Sequence, residues 1–356
     1  MTAATPAGIH VPCMTYDIAV VGLGAVGAAA TMQLTRSGAR VIGFDRYDPP
    51  HSFGSSGGGT RITRLAIGEG DHLTPLAVRS HELWREIERQ SGASLLTACG
   101  GLVISSDKTI AETHVKGFFR RTLAAAETFG IPHEVLDAAQ IRSRFPQFAV
   151  QDDELGYFEP SAGFLRPEAC IRAQLELAAN HGADLHLAEE VLRFAPASGG
   201  VAIETARGRY AAGRVIVAAG AWLPGLLDRK LASLFKIHRQ VMLWFDVAEN
   251  YERFTPGRFP VFIWEPQNTQ QGLYGFPAID GPYGGMKVAS EQFVEPTSAD
   301  SVARDVSSEE IAYVYDTLVR PHFRGVGAQC IQGKTCLYTV TPDSGFVIDT
   351  HPDSER

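Results

Sequence analysis

The hydrophobic pattern changes period twice within the first fifty residues. In "YDIAVVGLGAVGAAATMQLTRSGARVIGFD", an apolar run from Asp17 to Val21 gives way to glycines. Apolar residues at helical spacing follow from about Val26 to Ser37, and a second apolar run covers Arg40 to Phe44. Short apolar runs bounded by turn residues fit strands covered on both faces, and the 3.6-residue period between them fits a crossover helix. A βαβ unit with parallel strands is predicted.

Further on, "LTPLAVRSHELWREIERQSG" and "PEACIRAQLELAANHGA" repeat the helical period, and Gly92 marks the end of the first. "GGLVIS" and "DLHLAEEVLRFAPASGGVAIETARGRYAAGRVIVAAGAW" read as strands, the latter with hairpin breaks at Gly199-Gly200 and Gly208. From Phe235 to Phe293 short apolar runs broken by Gly and Pro predict an antiparallel sheet, and a last helix is predicted from about Ser308 to Val319. No internal repeat or low-complexity linker appears, so two interleaved domains are expected.

Composition narrows the partners. The 356-residue chain is 45% hydrophobic and 20% charged, as in globular proteins, and its formal charge of −8 offers no footprint for polyanions. Nucleic acid and membrane surfaces are not expected as partners. The apolar stretch from Ile18 to Met32 is interrupted by glycines and too short to span a bilayer. The opening "MTAATPAGIHVPC" lacks the basic and apolar regions of a signal peptide and reads as a flexible leader. The five cysteines (Cys13, Cys99, Cys170, Cys330 and Cys336) form no CxxC pair, so neither a disulfide framework nor a metal site is expected, and a cytoplasmic location is.

The first candidate chemistry lies in the βαβ unit. Gly22, Gly24 and Gly27 form GxGxxG, which allows a tight turn, a close backbone approach to a pyrophosphate and close packing of helix on strand. The helix N-terminus adds partial positive charge. Asp45, 18 residues beyond Gly27, stands where a carboxylate accepts both ribose hydroxyls of an adenosine and repels a 2′-phosphate. The motif does not separate NAD from FAD. Ala219 and Gly220, in "RVIVAAGAW", are the kind of small-residue turn that passes close to a cofactor, or a plain strand end.

Six blocks in order, the GxGxxG unit, "DPPHSFGSSGGGTRITRLAIGEG", "GFLRPEACIRA", "VIVAAGAW", "GGMKVA" and "CLYTVTPDSGFVIDTHP", resemble the monomeric sarcosine oxidase and N-methyltryptophan oxidase family of flavin-dependent amine oxidases. The resemblance runs from about Tyr16 to Pro352. It implies an α/β fold with a large antiparallel or mixed sheet: a discontinuous FAD-binding domain (14–80, 151–228 and 331–356) interleaved with a substrate domain (81–150 and 229–330). It implies oxidation of a secondary amine, such as an N-methyl amino acid, to an imine that hydrolyses, with O2 reduced to peroxide. Related oxidases of glycine, D-amino or cyclic amino acids, and a non-catalytic flavin-binding protein, are the alternatives. A monomer is the family's default.

The same resemblance implies roles for single residues. Cys336 matches the cysteine that carries FAD on its 8α carbon, although as a residue type it also suits a small buried hydrophobe. Lys287 matches the lysine placed over the flavin where oxygen is reduced; Arg64 matches the arginine on the substrate carboxylate; Thr60 and Arg61 match flavin contacts. Tyr274 and Tyr338 match aromatic positions of the pocket, and Arg46 follows the ribose-binding acid. Relatives that oxidise sarcosine carry histidine where this chain has Glu291 and Gly57, which leaves the preferred amine open. They also continue past the position of Arg356 with a glycine-rich segment that contacts the flavin, so a chain ending there is expected to hold flavin poorly.

Overall fold

The protein is described from a computed structural model, which covers residues 16–111, 115–293, 296–352 and 354. The leader and Cys13 lie outside them. The chain divides into two compact units. One comprises residues 1–56, 170–235 and 339–356, and the other residues 57–169 and 236–338. Each unit is discontinuous in sequence, and their limits are not those of the domains the resemblance implies. Residues 57–80, 151–169 and 331–338 group with the second unit, because the strands at 61–63, 163–165 and 330–340 pair with partners there.

The first unit is built on a six-stranded sheet. Its order is Val191–Ala197, Gly200–Thr205, Arg209–Val217, Tyr16–Val21, Val41–Phe44 and Asp184–His186. The last four run parallel, and the first two join them as antiparallel hairpins. Ala19, Val20, Ile42 and Phe44 are wholly buried, as expected of parallel strands covered on both faces. The helix Ala25–Arg36 crosses over between the first pair and buries Ala28, Thr31 and Met32. Thr31 and Thr35 satisfy their hydroxyls on the carbonyls four residues back, at 2.8 and 2.6 Å, so their burial leaves no unpaired polar atom.

The second unit carries an eight-stranded sheet in the order Cys330–Val340, Lys236–Phe245, Met286–Ser290, Leu273–Phe276, Val261–Trp264, Gly101–Ser105, Leu155–Glu159 and Glu134–Leu136. Pairing is antiparallel between the strands that follow one another from Lys236–Phe245 to Val261–Trp264, as the broken apolar runs predict. Val261–Trp264 pairs parallel with Gly101–Ser105. A nest of Phe148, Phe259, Phe262, Phe323 and Trp264 packs against one end of this sheet, with Phe148 and Phe259 stacked at 4.8 Å. Each such buried side chain contributes about 2 kcal/mol of apolar transfer energy. This packing fixes the sheet on which the site residues stand.

A small antiparallel sheet of Arg61–Thr63, Gly163–Leu165 and Leu96–Ala98 completes the unit. Gly163 is required there, since a Cβ would lie 1.9 Å from the Thr97 carbonyl oxygen. The helix Thr74–Ser91 ends on Gly92 in the left-handed region (φ 71°), as its glycine signals. The predicted C-terminal helix begins at Ser307, which caps it in a capping box with Glu310, and its last turn widens into a π-helical segment, Tyr315–Val319. Two helices that the sequence reading did not single out, Phe118–Phe129 and Ala138–Arg144, cover the sheet.

Candidate functional site

In the first unit the strand Tyr16–Val21 turns at Gly22 with φ 92°, a conformation that favours glycine. A Cβ at Gly22 would stand 2.5 Å from the Ala218 carbonyl oxygen, and one at Gly27 only 1.7 Å from the Gly22 carbonyl oxygen. The helix start is thus pressed onto the turn, and the turn onto Ala218 and Ala219. At Gly24 a Cβ would meet only Ser56 Oγ, at 3.5 Å. The helix has no side-chain cap and no acid in its first turn. Helix geometry leaves its first N–H groups without intrahelical partners. Ser56 Oγ accepts from the Ala25 N–H at 3.3 Å.

Asp45 ends the second strand, buried, and its carboxylate accepts the Leu23 N–H at 2.7 Å and the Tyr47 N–H at 2.9 Å. His51 Nε2 lies 3.6 Å from it. Carboxylate oxygens have room for further donors, so this arrangement positions Asp45 beside the turn without exhausting it. Arg46 points elsewhere: it pairs with Glu190 at 3.5 Å and lies 5.9 Å from the Trp222 ring. Gly220, in the left-handed region at φ 53°, opens the short helix Gly220–Leu226 after the strand Arg209–Val217. A helix start with no cap from its own N-cap residue, one long contact from Ser56 and a buried acid beside it fits the adenosine diphosphate half of a dinucleotide.

The second unit gathers Lys287, Arg61, Thr60, Cys336, Tyr274 and Tyr338. Lys287 stands on Met286–Ser290 opposite Trp244, buried to 2% exposure. Its Nζ donates to the Gly58 carbonyl at 2.8 Å, the Thr60 carbonyl at 3.1 Å and Thr60 Oγ1 at 3.2 Å. The rings of Phe276 and Trp244 lie 4.5 and 5.2 Å from it. Burial, reinforced by the Arg61 guanidinium, pushes the Lys287 ammonium well below its ordinary range, while Cys336 and Glu168 pull the other way.

Arg61 donates to the Thr60 carbonyl at 2.8 Å and the Gly57 carbonyl at 2.7 Å. Cys336 is buried in a cluster with Met242, Trp244 and Ala289, bordered by Tyr274 and Tyr338. Burial raises its thiol, and the positive charges of Arg61 and Lys287 oppose that rise. The two tyrosine hydroxyls lie 3.3 Å apart, and burial raises both phenols, so each stays a neutral OH. Strand pleat explains the grouping: Cys336 and Tyr338 are two apart on one strand and share a face, as do Lys287 and Ala289.

The same rule separates the two arginines of "TRITR". Three positions apart in or beside an extended strand, Arg61 and Arg64 leave on opposite faces. Arg64 forms an ion pair with Glu69 and lies 5.1 Å from the Phe118 ring. Glu168, which the sequence reading did not single out, belongs to the cluster: it accepts the N–H groups of Gly58 and Gly59 at 2.8 and 3.0 Å. In sequence it is an acid in a first helical turn, and nothing local ties it to a loop about 110 residues earlier. Among the described residues no group of His, Cys, Asp and Glu is arranged to hold a metal ion.

The model of the family "FAD dependent oxidoreductase" matches residues 17–356, and the chain belongs to that family. It is an FAD-dependent oxidoreductase. The monomeric sarcosine oxidase of Streptomyces avermitilis is 39% identical over 340 residues, 95% of this chain and 85% of that protein. The N-methyl-L-tryptophan oxidase of Yersinia pestis is 33% identical over 344 residues, 96% of this chain and 88% of that protein. Among solved structures, NikD, described as an unusual amino acid oxidase essential for nikkomycin biosynthesis, superposes with a TM-score of 0.78 at 25% identity, covering 92% of this chain and 83% of its own. Glycine oxidase from Geobacillus kaustophilus shares the fold, with a TM-score of 0.70 at 19% identity over 96% of this chain and 87% of its own.

Proposed function

We propose that this enzyme oxidises the secondary amine of a small N-methyl amino acid to an imine that hydrolyses in water, with O2 reduced to hydrogen peroxide. The observation that carries the reading is the buried Lys287 beside Arg61, Cys336, Tyr274 and Tyr338. The names of the two curated relatives, sarcosine oxidase and N-methyl-L-tryptophan oxidase, support the substrate class. FAD, when bound, supplies the two-electron chemistry between amine and oxygen.

In the first unit, the Gly22–Gly27 turn and the helix start would hold the pyrophosphate, Asp45 the ribose, and Ala219 and Gly220 the approaching backbone. In the second, Cys336 would tether the flavin through its sulfur, with Thr60 and Arg61 beside it. Lys287 acts by charge. Its three N–H groups already have oxygen partners, so its contribution to oxygen reduction is a fixed positive field where negative charge develops. The Arg61 guanidinium disfavours a protonated amine nearby, so the substrate nitrogen binds as the free base with its lone pair available. The neutral hydroxyls of Tyr274 and Tyr338 can donate to that nitrogen or accept from it. Trp244 and Phe276 exclude water from the Lys287 side.

Arg64 is assigned to the substrate carboxylate, which a guanidinium fork can hold at two oxygens. It must then exchange Glu69 for the ligand. The enzyme is further read as a cytoplasmic monomer; none of the described helices is long and apolar enough to cross a membrane. The test is anaerobic mixing of the flavin-loaded protein with sarcosine, other N-methyl amino acids and their primary-amine counterparts. Bleaching of the flavin by the N-methyl compounds, with one peroxide per amine on admitting air, is expected. Bleaching only by primary or cyclic amines would overturn the substrate assignment. In the same preparation, flavin that stays with acid-precipitated protein supports the Cys336 tether, and flavin left in the supernatant refutes it.

A further inference from the structure

Lys287 is a buried cation whose direct hydrogen-bond partners are neutral oxygens, and it lies close enough to Arg61 to be repelled. Something must hold both the oxygens and the charge in place. All three oxygens belong to one short loop, Gly57 to Thr60, so whatever fixes that loop fixes the ammonium.

The loop is held from its other side. Gly58 and Gly59 have φ of 106° and 77°, a pair of consecutive left-handed residues that turns their N–H groups the same way. One oxygen of Glu168, Oε1, accepts both. The carbonyls then point away from Glu168: those of Gly58 and Thr60 to Lys287, those of Gly57 and Thr60 to Arg61. The peptide dipoles are therefore aligned between a carboxylate at the N–H end and two cations at the C=O end. Gly58 admits no other residue without displacement, because a Cβ would stand 2.7 Å from Met242 Cε. Glu168 itself is fixed at the first turn of the helix Pro167–Asn180, half-buried.

We propose that Glu168 is a positioning residue for Lys287: through the Gly57–Thr60 loop it sets where the ammonium sits, and it supplies the negative charge that sustains that cation beside Arg61. The importance of the cation for oxygen rests on the function proposed above; its dependence on Glu168 does not. The charged and titratable groups that act on Lys287 come from each element around it. Arg61 and Lys334 oppose the positive form, and Glu168 and Cys336 favour it. Of the two that favour it, Glu168 alone is also wired to the loop by hydrogen bonds.

Glu168→Gln separates charge from shape, since the amide oxygen can still accept both N–H groups. Flavin-loaded protein labelled with 15N-lysine would be titrated by NMR, with the Nζ signal of Lys287 assigned by its loss in Lys287→Met. The expected result is a Lys287 titration lowered by about one pH unit or more in Glu168→Gln, with Glu168→Asp closer to the parent. An unchanged midpoint in Glu168→Gln, or equal lowering by Gln and Asp, would overturn the proposal. These titrations need no turnover, so they stand or fall apart from the amine assignment. In turnover, Glu168→Gln should shift the pH profile of the oxygen reaction downward.

Discussion

Two glycine-rich loops, GLGAVG in the first unit and GGGTR in the second, are clamped by a carboxylate in similar fashion and offer opposite faces of the backbone. Asp45 takes the Leu23 and Tyr47 N–H groups and leaves the N–H groups of the helix start, which no acid caps, for another acceptor. Glu168 takes the N–H groups of Gly58 and Gly59 and leaves carbonyls to face outward. The first loop suits an anion, a phosphate; the second holds two cations, Lys287 and Arg61. Glycine content alone therefore says nothing about the sign of the charge a loop will hold. The sign follows from which backbone groups the clamping acid has already consumed.

The largest effect expected in testing that contrast comes from the first loop. Gly27→Val would drive a branched side chain into the Gly22 carbonyl. It should destabilise the first unit by about 3 kcal/mol or more, read as a lower thermal midpoint and near-complete loss of bound flavin. Retention of full flavin content would mean that the turn does not hold the dinucleotide.

At the second loop, Lys287→Met should slow the reaction of reduced enzyme with O2 by about 100- to 1,000-fold and change anaerobic reduction far less; equal losses in both half-reactions, measured by stopped-flow, would contradict the role of the charge. The sign of its pH dependence follows from the direction of the shift. The ammonium of Lys287 lies below the ordinary 10.5, so the acceleration is full at low pH and fades as pH rises through that lowered value. Lys287→Met should be flat across the same range.

The smallest effect belongs to the edge of the second loop. Arg64→Ala should weaken carboxylate-bearing inhibitors by about tenfold, measured by flavin absorbance titration. Unchanged affinity would leave Arg64 as a partner of Glu69 and Phe118 only.

The first loop was legible in the sequence because its parts are local. A strand, a turn, a helix and a second strand place Asp45 beside Gly22 through short-range periodicity alone, and the observed helix Ala25–Arg36 lies within one residue of the expected span. The second loop was legible only by resemblance. Its lysine comes from a strand about 230 residues away and its acid from a helix about 110 residues away, and no periodic pattern reports such pairings. Arg61 and Arg64 show a subtler limit. The sequence grouped them by proximity, whereas extended backbone sends residues three apart to opposite faces. Domain boundaries shifted for a like reason, since short strands join whichever sheet offers pairing partners.

Of the three groups that meet the Lys287 nitrogen, two are carbonyls and can only accept, while the Thr60 hydroxyl can turn either way. When the nitrogen is an ammonium the hydroxyl accepts; when it is a free amine the hydroxyl can donate into its lone pair. Gain or loss of the proton then needs one O–H rotation and no movement of heavier atoms. A charge that can be switched on in so rigid a surrounding carries almost no reorganisation cost, and Thr60 is the pivot that makes it so.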